Sequence, residues 1–343
     1  MRTAGGWVVV GLDNGGTSNN ATVLDSAGRF LVDRLVETPS DVRSGPEAAV
    51  QGLARALEDI LRQVSAPMSA VRGVGLDTPG PASADGVISS NGSPNFSSHL
   101  EWRGFDFRGA LEDRIGVPVI YNNDGNAAAL YAHYAHFGAM ARKYSSVSAI
   151  VGTGLGGGVI VSGQVVRGAA GMAGEFGHVS IPLQGLLGAG QPQPVCNCGF
   201  AGDAESIASL TAIGNNLLPY WLTHYPGHEL GAVGSVAKAA MLVRGYAEKG
   251  DPMALKIFEQ QAMALGSLFT IAANFTDPDA YFVGGGVVET APVFREWFLG
   301  KVREHTILRE EQAAAATFAL VPDRDMAGAR GAAIAALETI RGR

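Results

Sequence analysis

Short apolar runs of strand length alternate with longer stretches of helical periodicity along the chain. The opening is β-rich: Trp7 to Leu12, Ala21 to Leu24 and Phe30 to Glu37 read as strands, and Asp25-Ser26-Ala27-Gly28 as the turn joining the last two. A helix is predicted over Glu47 to Val64, with Pro46 at its start and Leu53, Leu57, Ile60 and Leu61 at helical spacing. The strand Val71 to Leu76 runs into the loop DTPGPAS, and the amphipathic stretch Phe107 to Ile115 leads to the strand VPVIY at Val117 to Tyr121. The segment NNDGNAAALYAHYAHFG then reads as a turn feeding directly into a helix.

A second β-rich start follows at Val147 to Val151, Val159 to Val161 and Val165 to Arg167, with a glycine run and the turn Ser162-Gly163-Gln164 between them. It echoes the first. The two glycine turns lie 139 positions apart, counted from Asp13 to Gly152, which predicts duplicated halves rather than a short repeat. Helical patterns fill Ser235 to Lys249 and Pro252 to Phe275, and a strand at Tyr281 to Val283 ends in GGG. A helix from Ala291 to His305, a strand at Phe318 to Val321 and a last helix from Ala327 to Arg341 complete an α/β chain.

Composition narrows the class. Of 343 residues, 47% are hydrophobic and only 17% charged, so the chain buries a large core and is not globally disordered. The balance of 25 Lys and Arg against 32 Asp and Glu gives −7 with no basic cluster, which excludes a nucleic-acid partner. No apolar run approaches a membrane span, and the first residues carry no signal-peptide pattern, so a cytoplasmic location is expected. The two cysteines, Cys196 and Cys198, are too close for a fold-stapling bridge.

The excess of glycine, 47 residues, concentrates in part at predicted strand ends: DNGGT (Asp13 to Thr17), GTGLGGG (Gly152 to Gly158) and GGG (Gly284 to Gly286). Glycine lets backbone amides approach an anion that a Cβ would hold off, so these clusters fit phosphate binding as well as tight hairpin turns. None matches the Walker pattern, and the GxGxxG string in GTGLGG precedes a strand rather than a helix, which removes the dinucleotide reading.

DNGGT, NNDGNAAA (Asn122 to Ala129), GTGLGGG, GEFGH (Gly174 to His178) and CNCGFAGDAE (Cys196 to Glu205) occur in an order that resembles the ROK family of repressors and sugar kinases, across nearly the whole chain. That resemblance implies the two-lobed actin-like ATPase (ribonuclease H-like) fold with duplicated βββαβα halves. The small lobe is expected over residues 1–123 plus the final helix (327–343). The large lobe is expected over 124–326, with a sugar and zinc loop at 174–205, and the two lobes are expected to close over the sugar. The repressor members' helix-turn-helix domain is not expected, because the first strand begins at Trp7.

By the same resemblance Asp124 is the catalytic base, although its position also suits a helix N-cap. Asp13 would lie near magnesium-bound phosphates. Gly15, Gly16, Thr17, Gly152, Thr153, Gly154, Gly156 and Gly157 would hold phosphates of ATP, with Gly285 and Gly286 beside the nucleoside. Asn95, Asn123, Asp124, Glu175, His178 and Glu205 match sugar-contacting positions. The family commonly carries Lys after GGT, whereas Ser18 stands here. A structural zinc would use His178, Cys196 and Cys198, with Asp203 in place of the usual third Cys.

The implied activity is transfer of the γ-phosphate of ATP to the 6-hydroxyl of a hexose, glucose foremost, in a homodimer. N-acetylhexosamine, fructose or a cyclitol is the alternative acceptor, and a non-catalytic sugar sensor is the rival class.

Overall fold

The computed structural model describes residues 6–79, 83, 85–89, 96 and 99–342. Two five-stranded sheets organise the described residues. The first comprises β1 (Val8–Asn14), β2 (Ser18–Asp25), β3 (Val36–Pro39), β4 (Val71–Thr78) and β5 (Val119–Asn123), in the order β3-β2-β1-β4-β5. The second comprises β6 (Ser146–Val151), β7 (Leu155–Val161), β8 (Gln164–Val165), β9 (Ala280–Gly284) and β10 (Thr317–Leu320), in the order β10-β9-β6-β7-β8. Counted within each sheet, both orders are 3-2-1-4-5. In each, the first strand pairs antiparallel with the second and parallel with the fourth. The expected duplication is therefore present in topology.

The helices are α1 (Pro46–Gln63), α2 (Phe107–Ile115), α3 (Asp124–Phe137), α4 (Leu210–Ala212), α5 (Leu218–His224), α6 (Val236–Ala247), α7 (Pro252–Thr276), α8 (Pro292–Glu304), α9 (Glu310–Ala315) and α10 (Arg324–Arg341). One π-turn, Ile213–Leu217, joins α4 to α5. Among the described residues no helix is long and apolar enough to cross a membrane.

The chain divides into two compact units: residues 1–138, 164–173 and 323–343, and residues 139–163 and 174–322. Helix α3, which the sequence reading assigns to the large lobe, belongs to the first unit, where it packs against α10. Small residues make that packing possible. A Cβ on Gly11 in β1 or Gly75 in β4 would run into the backbone of α10 at Ala329 and Ala332, and one on Gly331 would run into the carbonyl of Ala127 in α3. α10 thus lies at backbone contact on the sheet, a closeness that only glycine and alanine permit.

Two strand expectations change. Only Phe30 of the predicted strand Phe30 to Glu37 bridges Leu24, and ladder pairing resumes at Val36. The intervening loop is claimed by Arg330 of α10, whose guanidinium lies 4.5 Å from the Phe30 ring centre and donates to the carbonyl of Asp33 at 3.1 Å. The glycine run is not a turn throughout: Gly156, Gly157 and Gly158 lie inside β7, opposite Ile150, Ala149 and Ser148. There a Cβ on Gly157 would collide with the carbonyl of Ser148 and crowd Phe176, so the glycine serves strand packing.

Candidate functional site

In the first unit, the parallel strands β1, β4 and β5 all end on the same edge, and each ends in polar residues. β1 closes with Asp13-Asn14, β4 with Asp77-Thr78 and β5 with Asn122-Asn123, after which Asp124 opens α3. Carboxyl ends of parallel strands are where open α/β sheets take ligands.

The turn after β1 is tight. The amide of Gly15 donates to the carbonyl of Ser18 at 2.9 Å, and a Cβ on Gly15 would stand 2.9 Å from that same oxygen. Ser18 stands where the family commonly carries Lys, and the two asparagines after it have local roles. Asn20 Nδ2 donates to Asp13 Oδ2 at 3.1 Å, and Asn14 Nδ2 donates to Asn19 Oδ1 at 2.6 Å. Burial pushes the Asp13 carboxyl up to about 6, against the Asn20 hydrogen bond and with help from the negative charge of Asp124.

The N-cap of α3 is Asn123, whose side-chain oxygen accepts the amide of Asn126 at 2.9 Å. This frees Asp124 from the capping role that its sequence position also allowed. Asp124 Oδ1 accepts the amide of Gly125 at 2.8 Å. Its carboxylate reaches solvent, yet the protein around it displaces enough water to hold its pKa above the ordinary 3.8. Behind Asp124, Arg167 donates to the carbonyl of Tyr121 at 3.0 Å and to Asn122 Oδ1 at 3.1 Å.

Sequence reading missed Asp77. It is 1% exposed, and its carboxyl is held well above the ordinary range first by burial, then by the charges of Asp13 and Asp124. Nothing local marks it, because the parallel β1–β4 register is what sets it directly opposite Asp13.

The second unit holds the other groups. The turn Gly152–Gly154 closes with the amide of Gly152 donating to the carbonyl of Gly154 at 2.9 Å. The carbonyls of Gly152 and Thr153 accept the amides of Leu210 and Thr211 from the start of α4. A Cβ on Gly152 would meet nothing within 4 Å, whereas one on Gly154 would lie 2.5 Å from Glu205 Oε2. Glu205 links this turn to the cysteines: Oε2 accepts the amide of Leu155 at 2.8 Å and Oε1 accepts the Cys196 thiol at 3.2 Å. Gly285 adopts φ +87°, and Arg244 donates to the carbonyl of Gly286 at 2.5 Å.

His178, Cys196, Cys198 and Asp203 converge, with one ligand atom of each within 4.8 Å of all the others. His178 Nδ1 lies 3.2 Å from Asp203 Oδ2, 3.5 Å from Cys198 Sγ and 3.9 Å from Cys196 Sγ. The short loop Cys196–Phe200, turned by Gly199 at φ +93°, brings both thiols to the same side. Asp203 is fully buried, and its other oxygen accepts the amide of Ser206 at 2.8 Å, so Oδ2 is fixed toward the cluster. Burial pushes the Cys196 thiol up, against the hydrogen bond from the Cys198 amide and with help from the side chains of Cys198 and Glu205. A donor set of one imidazole, two sulfurs and one carboxylate fits a tetrahedral zinc. Glu175 precedes the turn that carries His178. Asn95 lies outside the described residues.

The comparisons with known proteins fall on this arrangement. The ROK family matches residues 9–339. A glucokinase from Halalkalibacterium halodurans is 32% identical over 81% of this chain and 80% of its own. The crystal structure of a ROK hexokinase from Thermus thermophilus superposes with a TM-score of 0.76 at 29% identity, covering 98% of this chain and 100% of that one. The ROK family glucokinase from Streptomyces griseus, solved in complex with glucose and AMPPNP, gives 0.68 at 28% identity over 96% and 99% of the two chains. The chain belongs to the ROK family and has its α/β fold of the actin-like ATPase class.

Proposed function

We propose that this protein is an ATP-dependent sugar kinase that transfers the γ-phosphoryl group to the 6-hydroxyl of a hexose, with glucose as the first acceptor. The observation that carries the reading is Asp124 itself: a carboxylate freed from capping by Asn123, reaching solvent, at the ligand-binding edge of the sheet that also presents Asp13. The Streptomyces griseus relative, with glucose and a nucleotide analogue bound, supports both substrates.

In this reading Asp124 accepts the proton of the 6-hydroxyl as that oxygen bonds to the γ-phosphorus. The bond from phosphorus to the β–γ bridging oxygen breaks, and ADP departs with its electron pair. Gly15, Gly16 and Thr17, together with Gly152, Thr153, Gly154, Gly156 and Gly157, would hold phosphates through the backbone groups that the turns' own hydrogen bonds leave open. Gly285 and Gly286 lie along the nucleoside. Asn95, Asn123, Glu175, His178 and Glu205 contact sugar hydroxyls; His178 uses Nε2, because Nδ1 faces the cysteines.

Buried carboxylate oxygens are hard donors suited to Mg2+, so Asp13 would hold the ion that neutralises charge on the phosphates. His178, Cys196, Cys198 and Asp203 would hold a structural zinc that closes the loop carrying Glu205. The reading is tested by ADP release over glucose, mannose, fructose, N-acetylglucosamine, N-acetylmannosamine and myo-inositol, with 31P NMR of the product. A 6-phosphate from glucose is expected. Turnover with no acceptor above the sugar-free background would leave the sensor reading in its place.

A further inference from the structure

Two carboxylates stand side by side in the first sheet. Asp13 in β1 and Asp77 in β4 are register partners in a parallel pair, so both side chains leave the same face of the sheet. They converge on one point of α10: a Cβ on Gly328 would overlap Asp77 Oδ2 and lie 3.1 Å from Asp13 Oδ2. Only glycine at this position of the helix leaves room for the pair.

Asp13 Oδ2 takes the Asn20 side-chain amide at 3.1 Å, but the pair has no cationic partner. Among the described residues no Lys or Arg forms an ion pair with Asp13 or Asp77. Asp77 is 1% exposed, and its Oδ1 has no hydrogen-bond partner. One strand further along, at the register position of Asp77, Asn122 is 4% exposed and its Nδ2 is also without a partner. A buried carboxylate oxygen left unpaired is costly and rare. The nearby N-terminal end of α10 offers a partial positive charge, but it donates no hydrogen bond to Oδ1. The missing partner of two adjacent, hard, anionic oxygens at a strand end is a small divalent cation.

We infer that Asp77 is the second carboxylate of the site that takes the divalent cation carried by the nucleotide, beside Asp13, where α10 packs against the pair at Gly328. The inference rests on the sugar-kinase reading for the nucleotide and adds a cation-binding residue to it. Magnesium accepts one or two protein carboxylates together with phosphate oxygens, so the pair completes its usual complement.

The test is calorimetry of AMPPNP binding to the full chain without sugar, once with saturating Mg2+ and once in EDTA, for wild type and Asp77→Asn. Mg2+ should tighten AMPPNP at least about tenfold in wild type, and this gain should shrink at least about fivefold in the variant while affinity in EDTA stays level or improves. A merely structural Asp77 would weaken both conditions equally, leaving the gain intact, and that result overturns the inference.

Thermal unfolding in EDTA supplies an independent readout. Removing one of two adjacent carboxylates that have no cationic partner should raise the midpoint of Asp77→Asn by about 2 °C or more. A lowered midpoint would show that the protein itself satisfies Asp77, and would also overturn the inference. An unchanged Mg2+ gain with a raised midpoint assigns the two carboxylates to sharing one proton, again against it. Wild type that binds no AMPPNP with Mg2+ would overturn the kinase reading itself, an outcome distinct from a wild-type gain that the variant retains.

Discussion

Asp124 does its proposed work only when ionised, and its surroundings hold its pKa above the ordinary aspartate value of 3.8. The sign follows directly. As pH falls through the raised pKa the base is protonated and lost, so kcat/KM for the sugar should decline on the acid side with a midpoint above 3.8. A pH–rate profile flat down to that value would remove Asp124 as the base. At the metal cluster, the purified protein should contain about one equivalent of zinc, and Asp203→Ala should lose most of it. Asp203→Cys should retain zinc more strongly against a chelator, since thiolate is the softer donor. Less than about a tenth of an equivalent in wild type would remove the zinc proposal. Residue by residue, the cluster was readable because its members fall in two short segments, Cys196 to Asp203 and GEFGH. Asp77 was not, since it meets Asp13 only through pairing of strands 64 positions apart.

Helix α10 determines how the first sheet is covered. Gly11, Gly75 and Gly331 account for part of the glycine excess as contact glycines rather than phosphate turns. Gly75→Ala should cost at least about 1–3 kcal/mol, because the new methyl meets the backbone of Ala332 rather than a movable side chain. Gly234→Ala, where a Cβ meets nothing within 4 Å, should change stability by less than about 0.5 kcal/mol. Denaturant midpoints for the two variants decide this, and equal values would contradict the contact role. Periodicity located α1 and α2 well, since each buries one continuous apolar stripe. It failed over Phe30 to Glu37, where apolar, β-prone residues read as a strand but Arg330, 300 positions beyond Phe30, takes the loop for itself. A short apolar run reports which side chains tend to be buried, not which partner claims the backbone.

At the scale of the whole chain, the duplication was legible because each half repeats strand, glycine turn and strand, and both sheets have the same internal order. The boundary between units was less so. The sequence break at Asn123 is a change of element, whereas the unit continues to Gly138 because the alanines of α3 pack against α10. Both sheets place their glycine turns after a first strand, the arrangement expected of a protein that binds a phosphate chain through backbone amides. In the proposed reaction Asp124 is the base with which this fold phosphorylates a sugar. The most direct measurement is glucose-dependent ADP release by wild type and Asp124→Asn, alongside glucose affinity by calorimetry. The variant is expected to lose about 10²- to 10⁴-fold in kcat while its glucose affinity changes by less than about tenfold. A variant that releases ADP at the wild-type rate in response to glucose would contradict Asp124 as the base.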